Sequence, residues 1–349
     1  MRIGYSFWGF LGAGITDTPD GGRSHRLPLI QGLAERGHEI VFLQPDRDRL
    51  EADDPIGAPY TFDGGYPELD ALVVEWRWRI EGRNTTACNT PGHTCDLHRQ
   101  ASLLQRYTGL RGTPTVIWDK DRQLRTDSAW RRTPGVVVCE PAWHPTRGAH
   151  QLLFPVADAV LDAADPHELA AASRDVTLVY AGNQYDRDDA FDRFFAPAAA
   201  HVDHQVVGKW TDTARWPHVR FTGRKPFPEI AHLHGRALAT VLLLPDRYAA
   251  VGQLTQRQFE AVLAGCLPLA PDTIRDVHRF VPPQLIVRDG PQVTRVLREL
   301  REQSGTAQHA HLLADSLERL NLFRLSTQIE RLELAIDAAA GATRNRSVA

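Results

Sequence analysis

The sequence predicts an α/β protein built of two tandem doubly wound, Rossmann-like domains facing a cleft. Its 349 residues are about twice a typical single domain. Short apolar runs rich in β-branched residues alternate with helical patterns along the whole chain, and the periodicity lapses once, near the middle. Buried parallel strands read as continuous hydrophobic runs, and their alternation with helices implies βαβ units with right-handed crossovers.

In the first half the strand-like runs are residues 2–7, 39–43, 71–75, 115–118 and 136–139. In the second they are 176–180, 205–207, 219–221, 239–244, 267–270 and 285–287. The linker falls at residues 154–158, followed by Asp165-Pro166 and a short helix near 167–173. This gives domains at 1–156 and 157–325, with 326–349 a crossing helix and a frayed tail. The last long helical pattern, 312–339, carries Leu317, Leu320, Ile329, Leu332 and Ile336 on a broad apolar face. A helix so apolar must pack on something, and part of it is expected to cross back onto the first domain, leaving 341–349 frayed.

An apolar fraction of 42% with 24% charged residues supplies real cores and too little bias for disorder. Forty basic against forty-three acidic side chains, a net charge of −3, exclude a surface that attracts polyanions wholesale, so any binding of nucleic acid or anionic lipid is local. The opening MRIGYSFWGF lacks a cleavable leader pattern and no eighteen apolar residues follow one another, so the expected address is the cytoplasm, with no membrane partner. Four cysteines in so long a chain suit reduced thiols better than a disulfide framework.

Open parallel sheets bind ligands beyond the carboxyl ends of their strands, so the residue after each apolar run is the informative one. In the first domain these are the glycine-rich stretch from Trp8 to Gly14, then Glu75-Trp76-Arg77-Trp78, Asp119-Lys120-Asp121 and Glu140. That rim is acidic and aromatic. In the second they are Gly182-Asn183, Gly208-Lys209, Gly223-Arg224-Lys225, Asp246 and Pro271-Asp272, where glycine and base dominate. Small residues let backbone amides approach a phosphate and Lys209, Arg224 and Lys225 would neutralise it, so this rim suits a diphosphate. Two of the chain's three lysines stand in it.

The loop 12–22 leads into a helix that Ser24 would cap and Gly37 would stop. Asp17 stands where a dinucleotide fingerprint needs its third glycine, which argues against NAD and for a loop over the cleft.

The stretch Thr255-Gln256-Arg257-Gln258-Phe259-Glu260-Ala261, closing on Gly265, resembles the T-x-R-x-F-E-A-x-x-x-G segment of CgeB-like glycosyltransferases. It is also similar to the second half of the E-x7-E region of GT-B retaining glycosyltransferases of family 4. Gly21-Gly22, Gly182-Asn183, Gly208-Lys209 and Gly223 follow in the order that family requires. The resemblance implies GT-B architecture, with the acceptor on the first domain and a nucleoside-diphosphate sugar on the second. It further implies that Glu260 accepts the ribose hydroxyls, with Thr255, Arg257, Gly182, Asn183 and Arg187 around the donor and a helix N-terminus at 252–257 favouring its diphosphate. The first glutamate of the pair should stand eight residues before Glu260, and Gly252 is there instead; an amide of Gly252 or Gln253 would have to replace it.

On the acceptor side Gly21, Gly22, Glu75, Trp76, Trp78 and His93 are the candidates, the tryptophans as stacking platforms. The carboxylates Glu75, Asp119 and Glu140 either meet a polar acceptor or pair with Arg77, Arg79 and Arg122 to hold loops. Asp17 and Asp119 are the catalytic candidates; Asp17 would be a general base if configuration inverts, whereas a retaining enzyme, which the resemblance favours, needs none. No metal is demanded if bases stabilise the leaving diphosphate. Cys88, His93, Cys95 and His98, four soft ligands in one short polar insertion, could close a structural zinc site; otherwise the cysteines are buried thiols and the histidines loop residues near the acceptor.

The expected function is transfer of a sugar to a small natural product or nucleoside. The alternatives are transfer to a modified base in DNA, for which arginine clusters at 77–83 and 122–132 would supply a local basic face, and a nucleotide-sugar sensor that has lost turnover with the first glutamate.

Overall fold

The computed structural model describes residues 1–12, 22–54, 56 and 60–347. The chain divides into two compact units. One gathers Met1–Gly12, Arg26–Leu153 and the C-terminal stretch from Leu325; the other gathers Phe154–Arg324 with the described residues 22–25.

The first unit holds a seven-stranded parallel sheet of β1 (Arg2–Ser6), β2 (Glu39–Phe42), β3 (Thr61–Phe62), β4 (Ala71–Glu75), β5 (Thr115–Trp118), β6 (Val136–Glu140) and β7 (His150–Gln151), in the order β3-β2-β1-β4-β5-β6-β7. This is the doubly wound order whose direction reverses between β1 and β4. β4 and β5 are buried along their whole length, as the unbroken runs ALVVE and TVIW require of strands covered on both faces. On one face Val41, Leu72, Val74, Ile117 and Val138 pack with Leu103, Leu104 and Tyr107 from the helical stretch Asp96–Arg111.

The second unit holds a five-stranded parallel sheet of β8 (Val176–Ala181), β9 (His204–Val207), β10 (Ala237–Val241), β11 (Leu267–Pro271) and β12 (Ile286–Val287), ordered β12-β11-β10-β8-β9. Its direction reverses between β8 and β10.

The expected strand at 219–221 is reduced to one bridge between Val206 and Phe221. β9 ends at Val207 and Gly208 turns away at φ +136°, so an edge segment finds little left to pair with. The strand expected at 239–244 is Ala237–Val241, because the Leu243 amide turns back onto the Val241 carbonyl.

The long helix expected over 312–339 is two, Ala307–Arg319 and Leu325–Ser347, joined by a 3-10 turn. The Val156 amide takes the Phe323 carbonyl at 2.8 Å, which ends the first helix before it can run on. The helix Leu325–Ser347 crosses back to the first unit, and it stays helical where a frayed tail was expected from 341. It packs on the helix Arg23–Glu35 at Gly32, where a Cβ would lie 2.4 Å from Ile329 Cδ1. Arg36 and His38 fasten it through Glu333 at 2.7 and 2.9 Å. No helix among the described residues is long and apolar enough to cross a membrane.

Candidate active site

In the second unit the loops after β8 and β9 are stitched together. The Gly182 amide donates to Val207 O, the Lys209 amide to Asn183 Oδ1 at 2.8 Å, and the Trp210 indole to Gly182 O at 2.8 Å. The backbones approach so closely that a Cβ on Gly208 would sit 2.1 Å from Gly182 O. Gly208 is therefore required twice, by contact and by its left-handed φ.

Arg257 lies across this junction. Its guanidinium donates to Ala181 O at the end of β8, and a Cβ on Gly182 would meet that guanidinium at 2.5–2.7 Å. Arg187, buried, ties the same loop to the segment after β10 by donating to Leu243 O at 3.1 Å, and to its own loop through Asn183 O and Tyr185 O. Burial lowers its pKa. Its Nε and Nη1 are thus engaged by backbone carbonyls at the reversal of the second sheet, partners that its position in the sequence did not reveal.

Glu260 stands in the first turn of the helix Arg257–Leu263, one turn beyond Arg257. Its carboxylate accepts from the Ser24 hydroxyl. Burial raises its pKa, against the lowering effects of Ser24 and Arg257. Ser24, expected to cap its helix, thus spends its hydroxyl on a partner 236 positions away, and no local signal marks that.

The helix begins at Arg257 and not at 252, because Gly252 and Gln253 belong to the preceding turn. The Gly252 amide donates to Ala249 O at 3.2 Å and the Gln253 amide to Tyr248 O at 3.0 Å. Neither is open to replace the missing glutamate, and φ +63° at Gly252 gives a backbone reason for glycine there. Among the bases, Lys225 pairs with Glu229 at 3.2 Å, Arg224 is half-buried, and Lys209 is exposed with no ion pair among the described residues.

In the first unit β1 and β4 meet at the reversal of the sheet, and Glu75 ends β4 there. Arg26 grips it with Nε and Nη2, both at 2.8 Å, Lys120 Nζ lies at 2.6 Å and the Tyr5 hydroxyl donates at 2.9 Å. Glu75 and Arg26 have no exposed side-chain surface. Burial alone would raise the Glu75 carboxyl, but Arg26, Lys120 and Arg77 more than reverse that and hold it well below the usual range. Arg77 also spans the crevice to Trp8 O at 2.6 Å.

Asp119 is fully buried, and its two oxygens accept the amides of Gln123 and Leu124, both at 2.9 Å. Burial pushes its carboxyl up to about 6. This is the geometry of a group that caps a loop, which corrects its expected placement as an accessible catalytic carboxylate. Glu140 likewise is saturated by Arg122 at 2.6 Å and Arg131 at 2.7 Å.

Trp76 packs against the core of the first sheet, whereas Trp78 is half-buried beyond the strand end. His93 belongs with Cys88, Cys95 and His98, whose ligand atoms all lie within 4.8 Å of one another. The two cysteines are exposed and not buried as one expectation had them. Gly22 is buried in the turn before the helix Arg23–Glu35, its carbonyl accepting the His25 amide; Asp17 and Gly21 lie outside the described residues.

Two parallel sheets whose strand order reverses, one in each unit, are what the GT-B fold is built of, and this chain has that fold. Its fold is shared with T4 phage β-glucosyltransferase in complex with UDP and Mn2+, at TM-score 0.66 and 14% identity over 97% of this chain and 100% of the phage enzyme. It is shared too with AviGT4, a glycosyltransferase of avilamycin A biosynthesis, at TM-score 0.58 and 15% identity over 97% and 98%. Anabaena HepE in complex with UDP-glucose matches at TM-score 0.55 and 11% identity over 97% and 100%. No family model matches the chain, and no curated protein does.

Proposed function

We propose that this protein is a glycosyltransferase moving a sugar from a nucleoside-diphosphate sugar to a polar small molecule, a natural product or nucleoside. The observation that carries it is the placement of Arg257 and Glu260 one helical turn apart, with the Arg257 guanidinium held over Gly182 at the reversal of the second sheet.

Glu260 accepts the ribose hydroxyls, two at once as a carboxylate can. Arg257, with Lys209, Arg224 and Lys225, faces the diphosphate, and the Gly182-Asn183 turn brings the backbone close to it. The bond from the anomeric carbon to the diphosphate oxygen breaks, and these cations stabilise the charge that leaves. The acceptor lies at the strand ends of the first unit, beside Trp78. Glu75 and its cations shape that floor; a carboxylate so strongly acidic and so fully paired is no general base, which suits a retaining course. Asp119 is spent on two amides, so the Asp119–Asp121 pair offers no open metal-binding carboxylate couple and the cations take that role. Turnover is expected to survive chelation by EDTA.

T4 phage β-glucosyltransferase is described as a DNA-modifying enzyme. A DNA acceptor would need the arginine clusters of the first unit turned outward. Of the seven arginines in those clusters four are turned inward, Arg77 onto Trp8 O, Arg83 onto Asp96, and Arg122 and Arg131 onto Glu140, while Arg79, Arg125 and Arg132 are exposed, so less than half of the set faces outward. A small acceptor is therefore favoured. Slow release of nucleoside diphosphate from a panel of donor sugars, lost in Glu260→Ala, is the expected result in a coupled assay. A chain that binds donors and never releases nucleotide, with any acceptor offered, is a sensor and not an enzyme.

A further inference from the structure

We propose that Cys88, His93, Cys95 and His98 bind a structural zinc ion that fixes the segment after β4. The ligand atoms of all four lie within 4.8 Å of one another, and Cys88 Sγ is 3.3 Å from His98 Nδ1. Zinc bonds of about 2.3 Å to sulfur and 2.0–2.1 Å to nitrogen set the edges of a tetrahedron at roughly 3.3–3.8 Å. One edge already has that length, and the rest, none longer than 4.8 Å, close by about 1.5 Å at most.

His93 has the surroundings of a ligand in the tautomer protonated on Nδ1. The Thr86 hydroxyl lies 3.1 Å from His93 Nδ1, while His93 Nε2 is buried and has no hydrogen-bond partner. A ring that donates from one nitrogen to an oxygen and leaves the other bare is a metal ligand with its outer support in place. His98 would bind through Nδ1. Two thiolates and two neutral imidazoles make a neutral, four-coordinate site with no position left for substrate, which is structural and not catalytic.

The segment has little else to hold it. Residues 85–92 are half-buried or exposed, and Asn89 and Cys95 take left-handed backbone at φ +69° and +49°. Such a stretch buries too little apolar surface to offset its ordering, and metal binding supplies that free energy. Its neighbours are the candidate acceptor rim. Asn84 holds the Trp78 carbonyl at 3.0 Å, and Arg83 pairs with Asp96 and lies over the Trp8 ring. The ion would thus stiffen the frame around Trp78.

The test is the metal content of the full-length protein, purified with thiols reduced and without chelator. About one zinc per chain is expected for a closed four-ligand site, released when the cysteines are titrated with a mercurial. Cobalt(II) added to the stripped protein is expected to give the intense visible absorption of a tetrahedral sulfur-and-nitrogen site, and His98→Ala to weaken it while the chain stays folded. Wild-type protein without zinc that also fails to give that cobalt spectrum overturns the proposal, as does a Cys88–Cys95 disulfide that survives purification under reducing conditions. Neither outcome touches the assignment of the donor site in the second unit.

Discussion

Arg26 and Glu75 meet in a two-pronged ion pair, 2.8 Å on each prong, with no side-chain surface exposed on either residue. They sit where the first sheet reverses direction, and Lys120, Arg77 and Tyr5 close round the same carboxylate. Burying a carboxylate costs several kcal/mol, about what good geometry returns, so the pair contributes order more than net stability. Removing one partner is another matter. Glu75→Ala would strand a buried guanidinium, with an expected loss of about 3–5 kcal/mol. Denaturant unfolding followed by a first-unit tryptophan signal measures it; a loss under 1 kcal/mol would show the network relaxes or admits water.

Gly182 and Gly208 make a contrasting pair. A methyl at Gly182 meets the far end of the flexible Arg257 side chain, so Gly182→Ala is expected to leave the melting temperature within a few degrees while weakening nucleotide affinity at least tenfold. A methyl at Gly208 meets backbone at 2.1 Å and demands a left-handed residue, so Gly208→Ala is expected to destabilise the second unit outright. Melting curves and nucleotide titration of the two variants separate these effects.

Two buried groups, Asp119 and His234, contribute opposing parts of the pH dependence. Burial pushes the Asp119 carboxyl up to about 6, so the folded chain holds a proton that the unfolded chain has already released, and this contribution to stability falls as pH rises from about 4 to 6. Burial drives the His234 ring down to about 4, so the folded chain refuses a proton that the unfolded chain accepts. That contribution is present above about 6.5 and is lost as pH falls toward 4. The two oppose one another within one window. Asp119→Asn is expected to make stability rise more steeply with pH between 4 and 6 than in the wild type, read by thermal melts across that range.

The sheets were legible because parallel strands buried on both faces need unbroken apolar runs, and ALVVE, TVIW and VTLVYA are such runs. The two-residue strands β3 and β7 were not, since Thr61-Phe62 and His150-Gln151 stand in no apolar run, unlike the equally short β12. The strand-end rule marked Glu75, Asp119, Gly182 and Lys209 by position and the resemblance marked Glu260, and neither could tell their partners. Arg26 looks in sequence like any polar residue of an amphipathic helix, yet it is buried on a carboxylate 49 positions away. Ser24 presented itself as a cap and serves Glu260. Pairings of that kind depend on how the folded chain returns, and composition and spacing carry no trace of it.

The central claim is that Arg257 and Glu260 form a nucleotide-diphosphate site, and calorimetric titration with UDP, GDP, ADP and dTDP tests it most directly. One of these nucleotides is expected to bind the wild type saturably, with affinity reduced at least tenfold in Glu260→Ala and in Arg257→Ala while both variants keep the wild-type fold by circular dichroism. Absence of binding for all four, or binding that both substitutions leave unchanged, would contradict the account.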